Sequence, residues 1–268
     1  MKRAHWIVLG VAAALFVLLY WGLERRPPNM RGVDSVRTSN MSSTSANALI
    51  REASGALDAR EEAEIHGFEK MLDGATSDSR KVELLKQLSG AWYRTGNPAI
   101  AGHYAEQIAE LMPSDTTWGM AATTYTLCLR ADSLTTKQRD FCTERALPAY
   151  ENAISLAAES STHKVNLALH YADNPPANNP MRGIRMLLDL NKENPEDVAV
   201  LVQLGRLALQ TNQNDKALGR LTLATELEPD NRTAQCLLSE AARRTGNDQQ
   251  AASAETACRK LYDQESNL

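Results

Sequence analysis

The sequence lacks the short motifs through which many enzymes bind phosphate, metal ions or acyl groups. It has no P-loop, no GxGxxG, no GxSxG and no HExxH pattern. None of its five histidines is spaced with a carboxylate or a thiol in the way that metal ligands are. We therefore expect a protein that is not an enzyme, with no catalytic residues, no cofactor, no metal ion and no small-molecule substrate.

The chain also has no excess of positive charge and few aromatic residues. Lysine and arginine together number 29 against 33 aspartates and glutamates, and the formal net charge is −4. Because a nucleic-acid surface needs a basic stripe, no nucleic-acid partner is predicted. Phe, Trp and Tyr make up 5% of the chain, and the alternation of β-branched residues that is typical of strands is absent. The expected fold class is all-α.

What is present is a repeated spacing of apolar and small residues, which is clearest in residues 198–231. Two groups of these residues recur at the spacing of a helix face, on either side of a turn at Asn212. Small residues let the two helices approach closely, and Pro229 ends the second helix because it has no N–H to donate. The two faces consist of Leu201, Leu204, Gly205 and Ala208, and then of Ala217, Leu221 and Ala224.

The same spacing recurs with a period of 34 residues. It is found in 82–115, which has a Thr95-Gly96-Asn97 turn, in the stretch that ends at Pro195, and in 232–264. This pattern resembles the tetratricopeptide repeat, in which helical hairpins stack side by side. The resemblance implies an α-solenoid of about five hairpins over residues 80–264. The alternative is a plain helical bundle, which would share the helical periodicity but need not repeat every 34 residues.

Two further segments complete the predicted solenoid. Residues 115–158 look like a stretched repeat with an insertion between its helices, and Pro148 is expected to interrupt or kink the second helix. Residues 48–75 are predicted to form an N-terminal capping helix. Within it, Asp58 and Glu61 have the spacing of a capping box.

An uncharged, apolar run of eighteen residues, 6–23, lies near the N-terminus. At about 1.5 Å per residue it would span roughly 27 Å, which is close to the hydrocarbon thickness of a bilayer. We predict a transmembrane signal anchor, preceded by a short tail, 1–5, and followed by a disordered linker, 24–47. The alternative is a cleaved signal peptide, although no small-x-small cleavage site follows the run. Residues 265–268 are predicted to be a C-terminal tail.

The flanking charges and the resemblance disagree about orientation. A count of basic residues favours a cytoplasmic solenoid, because four arginines follow the anchor. Bacterial repeat proteins that this chain resembles commonly place their helices outside the inner membrane. We expect a single-pass protein of the bacterial inner membrane with a periplasmic solenoid.

Four cysteines bear on the side of the membrane on which the solenoid lies. The repeat register places Cys128 near the end of one helix and Cys142 near the start of its partner, which allows a disulfide. Cys236 and Cys258 also share one hairpin, but their predicted faces match less well. The alternative is that all four are buried, reduced residues.

The family resemblance implies a concave groove lined by the first helix of each hairpin. Its groove positions correspond here to Glu83, Lys86, Gly90, Tyr93, Ala199, Val202, Arg206 and Leu209. Gly90 replaces the asparagine with which chaperone-binding relatives hold a terminal carboxylate. We therefore expect a membrane-tethered adaptor that binds a protein or peptide in this groove. The alternative is a structural subunit of a larger envelope complex, similar to a cytochrome c maturation assembly, that uses its outer faces.

Overall fold

The computed structural model describes residues 45–266, which form twelve α-helices and contain no strand. The helices are α1 (Ala46–Ser54), α2 (Ala59–Asp73), α3 (Asp78–Arg94), α4 (Pro98–Leu111), α5 (Asp115–Cys128), α6 (Thr136–Leu156), α7 (Ser161–Asp173), α8 (Arg182–Glu193), α9 (Val198–Gln210), α10 (Asn214–Leu227), α11 (Arg232–Arg244) and α12 (Asp248–Ser266). None of these twelve is both long enough and apolar enough to cross a membrane. The predicted anchor at 6–23, the tail at 1–5 and all but the last residues of the predicted linker lie outside the described residues.

From α3 onward the helices pack as five consecutive hairpins. Each of the pairs α3–α4, α5–α6, α7–α8, α9–α10 and α11–α12 is in close contact, and each pair also contacts the next. The first helices of three neighbouring pairs of hairpins also touch, namely α5 and α7, α7 and α9, and α9 and α11. The predicted all-α array of tetratricopeptide-like hairpins is therefore confirmed.

Three of the hairpin turns use a residue with a left-handed backbone. These residues are Gly96 (φ 76°), Asn212 (φ 56°) and Gly246 (φ 76°). In each case the next residue's N–H donates to a carbonyl in the last turn of the first helix, as Gln213 does to Ala208 at 2.8 Å. Glycine and asparagine are the residues that adopt this conformation most readily. The turns expected at Thr95–Asn97 and at Asn212 are thus confirmed.

Small residues set how closely the two helices of a hairpin approach. A Cβ atom on Gly205 would lie 2.7 Å from the Leu221 side chain of the opposite helix. In the first hairpin Ser89 occupies the same repeat position, and its hydroxyl donates to the Ala101 carbonyl at 2.9 Å. The apolar stripes around these contacts are buried, so the core runs between the helices of each hairpin.

In the stretched second repeat, Pro148 does not interrupt the second helix, because α6 is continuous from Thr136 to Leu156. The later inserted residues belong to this helix, and the earlier ones form the connection after α5. Pro148 is exposed, so the carbonyl that loses its intrahelical partner can bind water. The added turns of α6 contact α1, where Glu52 pairs with Lys137 at 3.6 Å. Leu49 of α1 belongs to the same apolar cluster as Phe141 of α6.

The N-terminal segment consists of two helices where a single one was predicted over 48–75. The helical conformation is interrupted between Ser54 and Ala59. Helix α1 already begins at Ala46, inside the predicted linker. The capping box of Asp58 and Glu61 is present at the start of α2. Helix α2 packs on α3 and α1 packs on α4, so together they cover the open end of the first hairpin.

A buried histidine links the second and third hairpins. His170 of α7 is 3% exposed, and its Nδ1 lies 3.0 Å from the Thr126 hydroxyl, which lies 3.2 Å from the Tyr150 hydroxyl. Burial lowers the pKa of His170, and the nearby Arg130 lowers it further, while Asp173 opposes this in part. The imidazole is therefore neutral in the folded protein near neutral pH.

This histidine predicts a loss of stability in acid. Below pH 6.5, the ordinary pKa of histidine, the unfolded chain takes up a proton that the folded chain resists, so stability falls with falling pH. We expect the wild-type protein to lose stability more steeply between pH 7 and pH 5 than a His170→Gln variant. Urea unfolding at several pH values measures both slopes. His66 is exposed, and His66→Gln serves as the control that should leave the slope unchanged; equal slopes for wild type and His170→Gln would contradict the prediction.

Candidate peptide-binding cleft

A cleft of about 690 Å³ runs across the first helices of three successive hairpins. Its walls come from α3, α5 and α7, and second-helix residues of α4 reach its floor. The residues that face it include Lys86 and Gly90 of α3, Thr116, Met120 and Thr123 of α5, and Asn166 of α7. A surface formed by first helices is the one that the repeat resemblance implies for a groove.

Of the groove residues predicted in the first repeat, two line the cleft and two do not. Lys86 and Gly90 line the cleft. Glu83 and Tyr93 are exposed on the same helix but are not part of the cleft wall, and Tyr93 is 49% exposed. In the fourth repeat, Ala199 is exposed and Arg206 is half-buried on α9, away from this cleft.

Val202 and Leu209 of that repeat do not face a groove. Each is 4% exposed. Val202 packs in a cluster with Ala234, and Leu209 packs in a cluster with Leu238, both of which lie on α11. The next hairpin therefore covers these two side chains, and they act as packing residues between first helices. The prediction that they contact a partner is corrected accordingly.

The wall that α5 contributes is lined by threonine. Thr123 donates its hydroxyl proton to the Gly119 carbonyl, and Thr124 donates to the Met120 carbonyl, both at 2.8 Å. Because these protons are used within the helix, the two side chains present methyl groups and acceptor lone pairs. Sequence reasoning did not propose these residues. The same four groove positions, applied to the stretched repeat, would have given Thr116, Gly119 and Thr123, together with Thr126, which is buried.

A histidine and an aspartate meet at one end of the cleft, where α5 and α7 begin. The Nε2 atom of His163 lies 3.2 Å from a carboxylate oxygen of Asp115, 48 residues away in sequence. Gly119 makes room for the ring, since a Cβ there would lie 2.4 Å from the imidazole. The hydrogen bond from His163 lowers the pKa of Asp115, and nearby backbone N–H groups add to this. The carboxylate is therefore charged at neutral pH.

All four cysteines are paired in the structure. Cys128 bonds to Cys142 with an S–S distance of 2.11 Å, and Cys236 bonds to Cys258 at 1.96 Å. Each bond joins the two helices of one hairpin, α5 with α6 and α11 with α12. The first is the pair that the repeat register allowed. The second disulfide, between Cys236 and Cys258, is also present, although the predicted helix faces of these two residues matched less well. Over residues 45–266, no three His, Cys, Asp or Glu side chains are grouped so as to hold a metal ion.

Comparisons with known proteins give similarity at the level of structure. No protein-family model matches the chain, and no curated protein matches it in sequence. MamA from Desulfovibrio magneticus RS-1, in a structure that begins at residue 41, is 16% identical; the match covers 71% of this chain and 98% of that one, with a TM-score of 0.43. The C-terminal part of a TPR repeat-containing protein from Cytophaga hutchinsonii is 14% identical; the match covers 81% of this chain and 77% of that one, with a TM-score of 0.44. At this level the likeness concerns the helical fold alone.

Proposed function

We propose that this protein is a membrane-tethered scaffold that binds an extended segment of a partner protein in the cleft between α3, α5 and α7. The cleft is the observation that carries the proposal. It is open to solvent, it crosses three hairpins, and its walls offer threonine methyl groups, an amide and single charges of each sign. Mixed walls of this kind suit a peptide, whose backbone needs hydrogen-bonding groups and whose side chains need small apolar contacts.

The proposed location is the outer side of a bacterial inner membrane. The uncharged run at 6–23 supports a membrane anchor. The two disulfides support an oxidising compartment, because disulfides are rare in proteins of the cytosol. An anchor at the N-terminus with a solenoid beyond it would hold the cleft where it can meet other envelope proteins.

A second candidate function is a structural subunit that makes permanent contacts through its outer face. The second helices of three successive hairpins expose leucine side chains, which favours this reading. Leu156 of α6 is 53% exposed, Leu188 of α8 is 36% exposed and Leu227 of α10 is 38% exposed. Exposed apolar side chains that form one contiguous patch are typical of protein interfaces.

Filling the cleft is expected to abolish partner binding without unfolding the protein. A Cβ on Gly90 would meet only the end of the Arg94 side chain, at 3.5 Å, so Gly90→Trp fits the backbone and projects a large ring into the cleft. The matched control is Gly219→Trp on α10, which is exposed and has no atom within 4 Å of a Cβ. Both variants should melt at or above the wild-type temperature, because glycine disfavours helices.

The readout is in-cell crosslinking followed by affinity capture of the full-length chain. Gly90→Trp should lose at least nine-tenths of the crosslinked partner, while Gly219→Trp should keep it. If both variants keep the partner, the cleft is not its binding site and the outer faces become the better candidate.

A further inference from the structure

The charged groups of the cleft are few and unequal in how firmly they are held. Among the cleft-lining residues in the described chain, Asp115 is the only carboxylate and Lys86 is the only ammonium group. Lys86 is exposed and sits on a flexible four-carbon stem, so its charge is not held in one position. Asp115 is held in place by a partner that is itself buried. The two charges therefore differ in how much they can fix a ligand.

The partner of Asp115 is seated by the packing of α5 against α7. His163 is 7% exposed, and its ring lies against Gly119, where even a methyl group would not fit. Its position in the first turn of α7 directs Nε2 toward the first residue of α5. A carboxylate fixed in this way loses little further freedom when it binds a ligand, which favours tight binding.

The other ring nitrogen of His163, Nδ1, is buried and has no hydrogen-bond partner among the described residues. The orientation of the ring is therefore set by its packing against Gly119 and by the bond of Nε2 to Asp115. His163 acts on the cleft through the carboxylate that it positions.

We infer that the cleft selects an extended peptide carrying a lysine or arginine side chain, which pairs with the Asp115 carboxylate. Asp115 keeps a side-chain exposure of 41%, so it can be reached from the cleft while His163 holds it from behind. A hydrogen bond between a cationic side chain and a carboxylate is about twice as strong as a neutral one. The inference rests on the proposed function, because it names the chemistry of the segment that the cleft takes.

The test uses a set of nine-residue peptides built from Ser, Ala and Thr, with one Arg placed at each position in turn. A matched set carries Gln in place of Arg. Binding to the purified full-length protein is measured by fluorescence polarisation. We expect at least one Arg peptide to bind roughly two- to fivefold more tightly than its Gln counterpart, the factor that an ion pair still exposed to water supplies.

Three variants assign that preference to individual charges. Asp115→Asn keeps the shape and should remove the preference for Arg. Lys86→Met should keep or increase it, because the competing cation is gone. Asp132→Asn, in the exposed turn after α5, is the control and should change nothing. Equal thermal melts for Asp115→Asn and the wild type establish that the fold is retained.

The possible results separate this inference from the proposed function. If Gly90→Trp abolishes peptide binding while Asp115→Asn keeps the Arg preference, the cleft binds peptides but Asp115 does not select them, and the inference is overturned. An absence of any Arg preference in the wild type overturns it as well. If Gly90→Trp leaves peptide binding intact, the peptides bind elsewhere, and the proposed function fails together with the inference.

Discussion

Replacing Gly183 by alanine is expected to lower the free energy of unfolding by about 3 kcal/mol, the upper end of the usual cost of overpacking. A Cβ at this position on α8 would lie 2.2 Å from the Ala168 carbonyl oxygen and 2.5 Å from the backbone nitrogen of Ala172. Both atoms belong to the backbone of α7, so no side-chain rotation relieves the contact. The two helices would have to move apart along the whole hairpin.

The measurement is urea unfolding followed by circular dichroism, with Gly219→Ala as the matched control. Gly219 also lies within a helix, but no atom lies within 4 Å of the position that its Cβ would take. There the same substitution should stabilise the protein by roughly 0.5–1 kcal/mol, because alanine favours the helix over the unfolded chain. Equal unfolding midpoints for the two variants would contradict the close backbone contact between α7 and α8.

The close approach at Gly183 is an example of what the sequence could predict. The repeat register places a small residue on each helix where the two cross, and Gly183 and Gly205 are such residues. The structure finds both against the opposite helix. The register also predicted turns at Gly96 and Asn212, and both residues have a left-handed backbone in the structure. These features depend on residues that are close in sequence and on a period that recurs, so one chain is enough to read them.

Features that depend on contacts between distant segments were not predictable in the same way. The burial of Val202 depends on the packing of α11 against α9, which no local pattern encodes. The later part of the insertion in the second repeat belongs to α6, which begins at Thr136. There Lys137 pairs with Glu52 of α1, a contact between segments that lie far apart in the sequence.

The residues of the candidate site also differ in whether the sequence alone could predict them. Lys86 could be assigned from its repeat position alone, and the structure places it in the cleft. Asp115 and His163 could not, because each is an ordinary residue at the start of a helix. Their pairing arises only when α5 and α7 are packed side by side and Gly119 leaves space between them. Charge selection in the cleft is thus a property of the array and not of any single hairpin.

Removing the disulfides is expected to have the other large effect on stability. Cys128 and Cys142 are separated by 14 residues, and Cys236 and Cys258 by 22. Loop-closure entropy for loops of these lengths corresponds to about 3 kcal/mol for each bond. The two bonds lie in different hairpins, so their contributions should be nearly additive. Alanine at both cysteines of one pair should therefore cost about 3 kcal/mol, and at all four about 6 kcal/mol.

The same experiment tests where the solenoid resides. Dithiothreitol should destabilise the wild type to the level of the four-alanine variant and leave that variant unchanged. A chain without residues 1–23, made in the cytosol and alkylated in denaturant at lysis, should carry four alkylated cysteines and show the lower stability, because that compartment keeps thiols reduced. The full-length chain, isolated from membranes and alkylated in the same way, should carry none. Four alkylated cysteines in that sample would remove the main support for an envelope location.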